Sequence, residues 1–301
     1  MSLWIAFTLL AALAQNVRSM LQKQLTGALT VTGATYVRFL YGLPVAALYV
    51  AALLALDTGT MSSPPPAFYA YAAVGALAQI GGAQLLVGLY TLRHFSVGTA
   101  YSKSETIQAA LLGLVLLGDQ ISMIGWLGIV VSVIGVLLLS MVGAGLTFIQ
   151  SVRSLGAKPA LMGLGVGLGF AIASVCYRAA AHTLPEAGFL LAAATTLLFV
   201  LSLQTLVMGG WIAARAPTQF IAALKAWPKA SLVGLAGGVA SIGWFTAFAL
   251  ENAAFVKAVG QIELLFALAT AHFVFKERTT PRELAGIAAL VGGIVLLLAV
   301  R

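Results

Sequence analysis

Two glutamates, Glu105 and Glu263, stand inside apolar runs of membrane-spanning length and are separated by 158 residues. A carboxylate at the centre of a spanning helix costs roughly 2.5 to 3.5 kcal/mol on insertion scales, so a duplicated one marks a site rather than a structural accident. Such a group can bind an amine or take up and release a proton. On a continuous helix Tyr101, Glu105 and Gln108 lie four and three residues apart and share one face, while the equivalent face of the second run presents Val259, Glu263 and Phe266. The first strip is polar and the second carries an aromatic wall. If both faces project into a central cavity, Glu263 is the more desolvated carboxylate and the better placed for proton exchange.

The competing reading pairs each carboxylate with a cation inside the helices, Arg18, Arg38, Lys103, Arg178 or Lys257, and gives the pair only an orienting role. Arg18, Lys23, Arg178 and Lys257 lie near enough to helix ends to snorkel toward headgroups. Taken as interior charges, those five cations outnumber the two glutamates. The excess favours a substrate with a carboxylate or another anionic group, or a zwitterion. Tyr90 and Trp244 are the aromatics suited to a cavity wall, with packing between spans as the alternative.

Other chemistry is poorly served. His94, His182 and His272 are far apart, and His272, nine residues beyond Glu263, points away from that carboxylate's face. One cysteine, Cys176, permits no internal disulfide and no thiolate metal site. Neither a metal nor any other cofactor is expected. The chain has no serine elbow, no histidine pair at metal spacing and no paired aspartates, so it is not read as an enzyme.

The elements that must position these residues are helices. Of 301 residues 61% are hydrophobic and only 8% charged, with a mean hydropathy of +1.04, more apolar surface than a soluble domain of this size can hide. The net charge of +8 is spread singly between apolar runs and forms no track for a phosphate backbone, so nucleic acid is not an expected partner. Charges, prolines and glycine-rich turns divide the chain into ten expected spans, at 3–24, 30–56, 67–92, 96–117, 122–143, 160–182, 187–213, 229–251, 254–275 and 281–300. The first apolar run lacks the marks of a cleaved signal peptide and is read as a retained helix. Residues 215–228 read as a short amphipathic segment along the interface.

Residues 92–139 recur as 250–297, with Leu92, Ala100, Glu105, Gly128 and Gly135 repeated as Leu250, Ala258, Glu263, Gly286 and Gly293. Five spans fall on each side of a linker at 145–158, giving repeats 1–144 and 159–301. Because five is odd, the second copy starts from the opposite membrane face. An all-α membrane protein of two inverted five-helix repeats results, and a site between such repeats can open to either side by rocking. Flanking lysines and arginines concentrate on the face of the odd-numbered connections, which the positive-inside rule makes cytoplasmic, with both termini outside.

Several pieces resemble the drug/metabolite transporter superfamily, ten-helix type with two EamA-like repeats. They are Arg38, Phe39, Leu40, Tyr41, Gly42 and Leu43, then Gly118 with Asp119, then Lys276, Glu277 and Arg278, and the glycines of the closing helices. The resemblance spans essentially the whole chain. It implies a secondary carrier in the cell membrane that moves, mostly exports, small metabolites, amino acids or drugs without ATP. Many relatives carry proline midway along the fourth helix of each repeat, where this chain has Glu105 and Glu263 nearby and no proline. The expected partners are a small-molecule substrate, membrane lipids and a coupling proton. A lipid or lipid-linked headgroup flippase on the same scaffold is the alternative.

Overall fold

A computed structural model of the protein describes residues 2–25, 29–57, 59, 63–89, 92, 101–144, 158–266 and 281–299. Tyr90, His94, His272, Lys276, Glu277, Arg278 and the linker residues 145–157 lie outside the described residues, as does the side chain of Lys23. Among the described residues the chain is helical without strands. The helices are α1 (Leu3–Leu25), α2 (Val31–Ala55), α3 (Pro66–Leu89), α4 (Glu105–Leu117), α5 (Met123–Ala144), α6 (Lys158–His182), α7 (Gly188–Arg215), α8 (Pro217–Lys225), α9 (Trp227–Leu250), α10 (Ala253–Gly260) and α11 (Pro281–Ala299). Six stretches are long and apolar enough to cross a bilayer, lying in α1, α2, α3, α6, the Pro185–Arg215 stretch that ends in α7, and α9. Shorter apolar helices occupy Glu105–Leu117, Met123–Leu138 and Leu284–Ala299.

The helices begin and end where local chemistry allows. Thr30 caps α2 by accepting the Gly33 amide at 3.2 Å, and Asn252 caps α10 by accepting the Ala254 amide at 2.9 Å. Gly118 ends α4 at a φ of 66°, the left-handed conformation that favours glycine, and the amide of the next residue, Asp119, donates back to the Gly113 carbonyl at 3.1 Å. α2 runs through Pro44 without ending.

Two of the expected spans are not single helices. The fourth is helical at Tyr101 and Ser102, turns at Lys103 and Ser104, and resumes as α4 at Glu105. The ninth is α10 up to Gly260, a turn at Gln261 and Ile262, and helix again from Glu263 to Phe266. The breaks fall at equivalent positions, since 103 + 158 = 261 and 104 + 158 = 262. Neither has a proline. Three-residue amide bonds, Ser104 to Tyr101 at 3.1 Å and Ile262 to Val259 at 3.1 Å, carry the backbone through each turn.

The chain forms two compact units, Met1–Ile80 with Ala173–Glu251, and Gly81–Ile172 with Asn252–Arg301. Each draws on both sequence halves. In the first, α1 runs antiparallel to α9, with Gly243 against Phe7 and Ala11 and Gly237 against Arg18, while α2 inserts Tyr41 and Val45 against Gly234 and Gly238 of α9. The expected amphipathic segment is α8, tied to α2 by the Thr30 amide on Gln219 Oε1 at 3.0 Å and by the Tyr41 hydroxyl on the Leu224 carbonyl at 3.0 Å.

In the second unit α5 packs antiparallel on α11 through the duplicated glycines, crosswise: Gly128 meets Gly293 and Gly135 meets Gly286. A β-carbon added at Gly293 would lie 2.7 Å from the Gly128 carbonyl oxygen, whereas one at the adjacent Gly292 would meet nothing within 4 Å. Close backbone approach of this kind is how helices associate where lipid supplies no hydrophobic drive. Gly293→Ala is expected to lower stability by about 1 to 3 kcal/mol and Gly292→Ala to leave it unchanged or slightly raised, as read by thermal unfolding in detergent. Equal behaviour of the two variants would refute this contact.

Candidate functional site

The two helix breaks carry the charges. Lys103 Nζ lies 2.6 Å from Glu263 Oε1, and Lys257 Nζ lies 2.6 Å from Glu105 Oε1. Each glutamate is thus held by a lysine from the other half of the sequence, although Lys103 is only two residues from Glu105. All four side chains are largely withdrawn from the surface, and Glu105, at 14% exposure, is more withdrawn than Glu263 at 22%, the reverse of the order expected from the polar and aromatic faces. At that burial removing one partner leaves the other charge costly.

The helix ends reinforce both signs. Glu105 opens α4, where unpaired amides favour an anion, and Lys257 occupies the last turn of α10, where unpaired carbonyls favour a cation. Gln261, within the second break, donates to Thr106 Oγ1 at 3.3 Å, and both residues are buried. At the first break Ser104 donates to the Tyr101 carbonyl at 2.7 Å and accepts from Gln108 Nε2 at 2.8 Å. Gly167 of α6 seats this turn, because a β-carbon there would lie 3.1 Å from the Ser102 carbonyl oxygen and 3.2 Å from Gln108 Nε2.

The geometry amends the expected face. Tyr101 and Glu105 are separated by the Lys103–Ser104 turn, and the Gln108 amide nitrogen goes to Ser104 and, at 3.5 Å, toward the Leu164 carbonyl. Tyr101 is therefore cut off from Glu105 by the break, whereas Gln108, three residues along the continuous α4, keeps its helical spacing to Glu105. Phe266 remains one turn beyond Glu263 in the helical segment that follows the second break.

In the other unit the expectation of snorkelling arginines fails for Arg18. It is 8% exposed, with its side chain against Gly237 of α9, so α9 holds it inside the protein. Arg38 of α2 reaches the same glycine: a β-carbon at Gly237 would lie 3.2 Å from Arg18 Cδ and 3.8 Å from Arg38 Cγ. Arg178 and Lys257 also have partners within the protein. Arg178 donates to the Phe248 carbonyl at 3.2 Å, beside His182 at the Ala249 carbonyl, and Lys257 is taken by Glu105.

Trp244 donates from Nε1 to Gln15 Oε1 at 3.0 Å and stacks on Phe248, with ring centroids 6.0 Å apart. A polar chain lies in the same unit. The Tyr177 hydroxyl donates to Gln79 Oε1 at 3.1 Å, Gln204 Nε2 donates to the same oxygen at 2.7 Å, and Tyr177 stacks on Phe245 at 4.3 Å. Sequence reading passed over Gln79, Tyr177, Gln204 and Gln15. Their only signal was polarity inside apolar runs.

A double-mutant cycle of Lys103→Gln and Glu263→Gln, read by unfolding in detergent, is expected to give a coupling of about 1 to 3 kcal/mol. Lys103→Gln with Glu105→Gln should be additive within about 0.5 kcal/mol. Coupling within the 103/105 pair and none across 103/263 would contradict the crossed arrangement.

Residues 157–299, nearly all of the second sequence half, match the EamA-like transporter family. A solved crystal structure of another protein is 16% identical to this chain and superposes with a TM-score of 0.65 over 98% of this chain and 99% of that one. At that identity the likeness is one of fold. A search of curated proteins found no match. Residues 157–299 are thus similar to the EamA-like transporter family, of the drug/metabolite transporter superfamily, and the six helices long and apolar enough to cross a bilayer fit a multi-pass membrane protein.

Proposed function

We propose that the protein is a proton-coupled secondary transporter of the cell membrane that exports small amphiphilic metabolites, amino-acid-like compounds or drugs by alternating access. The observation that carries this reading is the pair of crossed ion pairs on two helices broken at equivalent positions. Interrupted helices with charges at their ends are how membrane carriers build ion and substrate sites near the bilayer midplane.

A proton arriving on Glu263 neutralises the carboxylate and releases the Lys103 ammonium. Loss of that proton to the other side restores the pair. Glu105 and Lys257 form the corresponding couple. A substrate amine competes with either lysine for its carboxylate, so cargo and proton contend for the same oxygens. Repeats 1–144 and 159–301, related by an axis in the membrane plane, would present this couple to each face in turn. The crosswise meeting of Gly128 with Gly293 and Gly135 with Gly286 supports that relation.

The test is the transient current of purified protein in liposomes on a supported membrane, challenged with matched cationic, zwitterionic and anionic solutes with and without a proton gradient. Gradient-dependent currents for one solute class are expected, and Glu263→Gln or Glu105→Gln is expected to abolish them in protein that still folds, with a lowered unfolding temperature from the lysine left unpaired. Normal transport by both variants would sink the carboxylate mechanism.

A further inference from the structure

The unit formed by Met1–Ile80 and Ala173–Glu251 is charged unequally at its two ends. Its three carboxylates, Asp57, Glu186 and Glu251, follow α2, precede α7 and follow α9. α8 lies at the other end, where α7 finishes, α9 begins and the Thr30 amide at the start of α2 donates to Gln219. The basic residues there are Arg215 at the end of α7, Lys225 at the end of α8 and Lys229 in the first turn of α9. All three are exposed, and among the described residues none of their side chains has a hydrogen-bond or ion-pair partner. From Ala187 to Leu250 the chain has no acidic residue to answer them.

The outer face of α8 fits this end of the unit to lipid. The helix buries Ala223 and turns Gln219 and Phe220 toward α2, with the Phe220 ring 5.9 Å from that of Tyr36. Its opposite side leaves Ile221 and Leu224 exposed, with Lys225 one turn beyond Ile221. Trp211, one turn before Arg215 on α7, and Trp227, the first residue of α9, are exposed as well. Exposed apolar side chains on an interfacial helix meet acyl chains, and tryptophans beside them stand at headgroup depth. The cations decide which headgroup. α8 has nine residues and is about 13 Å long, so Arg215 and Lys225 stand too far apart for one phosphate and fit a row of them.

The geometry points to a docking surface for anionic phospholipid where α7, α8 and α9 meet, with Arg215, Lys225 and Lys229 on neighbouring phosphates and Ile221, Leu224 and Trp227 against the acyl chains. Neutral lipid satisfies the apolar side chains and leaves three charges without a counter-charge, whereas anionic lipid satisfies both. Each lysine or arginine near an anionic surface strengthens binding about fivefold, so three together favour anionic over neutral lipid by about 100-fold. The surface asks nothing of the lysine and glutamate couples. Lipid preference is read without transport, so it and the transport reading can fail separately.

The experiment places the full chain in phosphatidylcholine nanodiscs with rising fractions of phosphatidylglycerol brominated near the headgroup, and follows quenching of Trp fluorescence. Brominated phosphatidylcholine at the same fractions is the neutral reference. Half of the full quenching should come at a fraction of the anionic lipid about 10- to 100-fold lower than of the neutral one, and high salt should remove much of the difference. Lys225→Gln should raise the anionic fraction needed by about fivefold, and Arg215→Gln, Lys225→Gln and Lys229→Gln combined should bring it to the neutral value. Lys158→Gln, at an exposed lysine opening α6, should change it by under about twofold. Trp211→Phe with Trp227→Phe should remove the excess quenching. In phosphatidylcholine alone the lysine and arginine variants should unfold with the wild type, because these side chains hold no partner in the protein. The proposal is overturned if the two lipids quench alike, or if the combined variant keeps the difference. It is also overturned if Lys158→Gln costs as much as Lys225→Gln, which would make the preference a property of basic helix flanks in general. Excess quenching that survives loss of both tryptophans would place the lipid elsewhere, and a combined variant that does not fold would make the three cations structural partners; either result sinks the surface described.

Discussion

A bilayer interior supplies no water to satisfy a charge or a broken hydrogen bond, and each feature of the second unit answers that constraint. A helix that turns at Lys103 and Ser104 frees backbone groups, and a glutamate beside the turn needs a counter-ion. The two needs are met together. Ser104, Gln108 and the three-residue amide bonds close the backbone, while Lys257 neutralises Glu105 across to the other break. The second break reciprocates through Gln261 and through Lys103 on Glu263. Breaks and charges are thereby interdependent: remove the lysines and the glutamates become expensive, straighten the helices and the lysines no longer meet them.

Close packing sets how near these groups can come. Gly167 lets α6 lie on the first break, and Gly128, Gly135, Gly286 and Gly293 bring α5 and α11 together. Gly237 plays a similar part in the other unit, where the missing side chain leaves room for two arginines. Small residues here set the distance between charged groups as well as the distance between helices.

Much of this was legible in the sequence. The apolar runs, the offset of 158, the duplicated glutamates and glycines and the lysines able to answer them are all visible as residue types and spacings. The breaks were not, because neither Lys103–Ser104 nor Gln261–Ile262 contains a proline or glycine; the turns are set by contacts from α6 and from the partner break. Arg18 was misjudged because distance from a helix end says nothing about which way a side chain turns, and α9 lies over it. The units are likewise invisible in one dimension, since their boundaries fall inside α3 and α6 at Ile80 and Ile172.

The crossed ion pairs also constrain how the chain is made. Glu105 enters the membrane with the early helices, but Lys257 is synthesised 152 residues later (257 − 105). At roughly 5 to 20 residues per second, about 8 to 30 s pass before that lysine exists. During co-translational insertion the first carboxylate must therefore be tolerated by protonation, by water at the insertion machinery or by a transient neighbour. The early half of the protein is born with a debt of charge that only its last helices can settle.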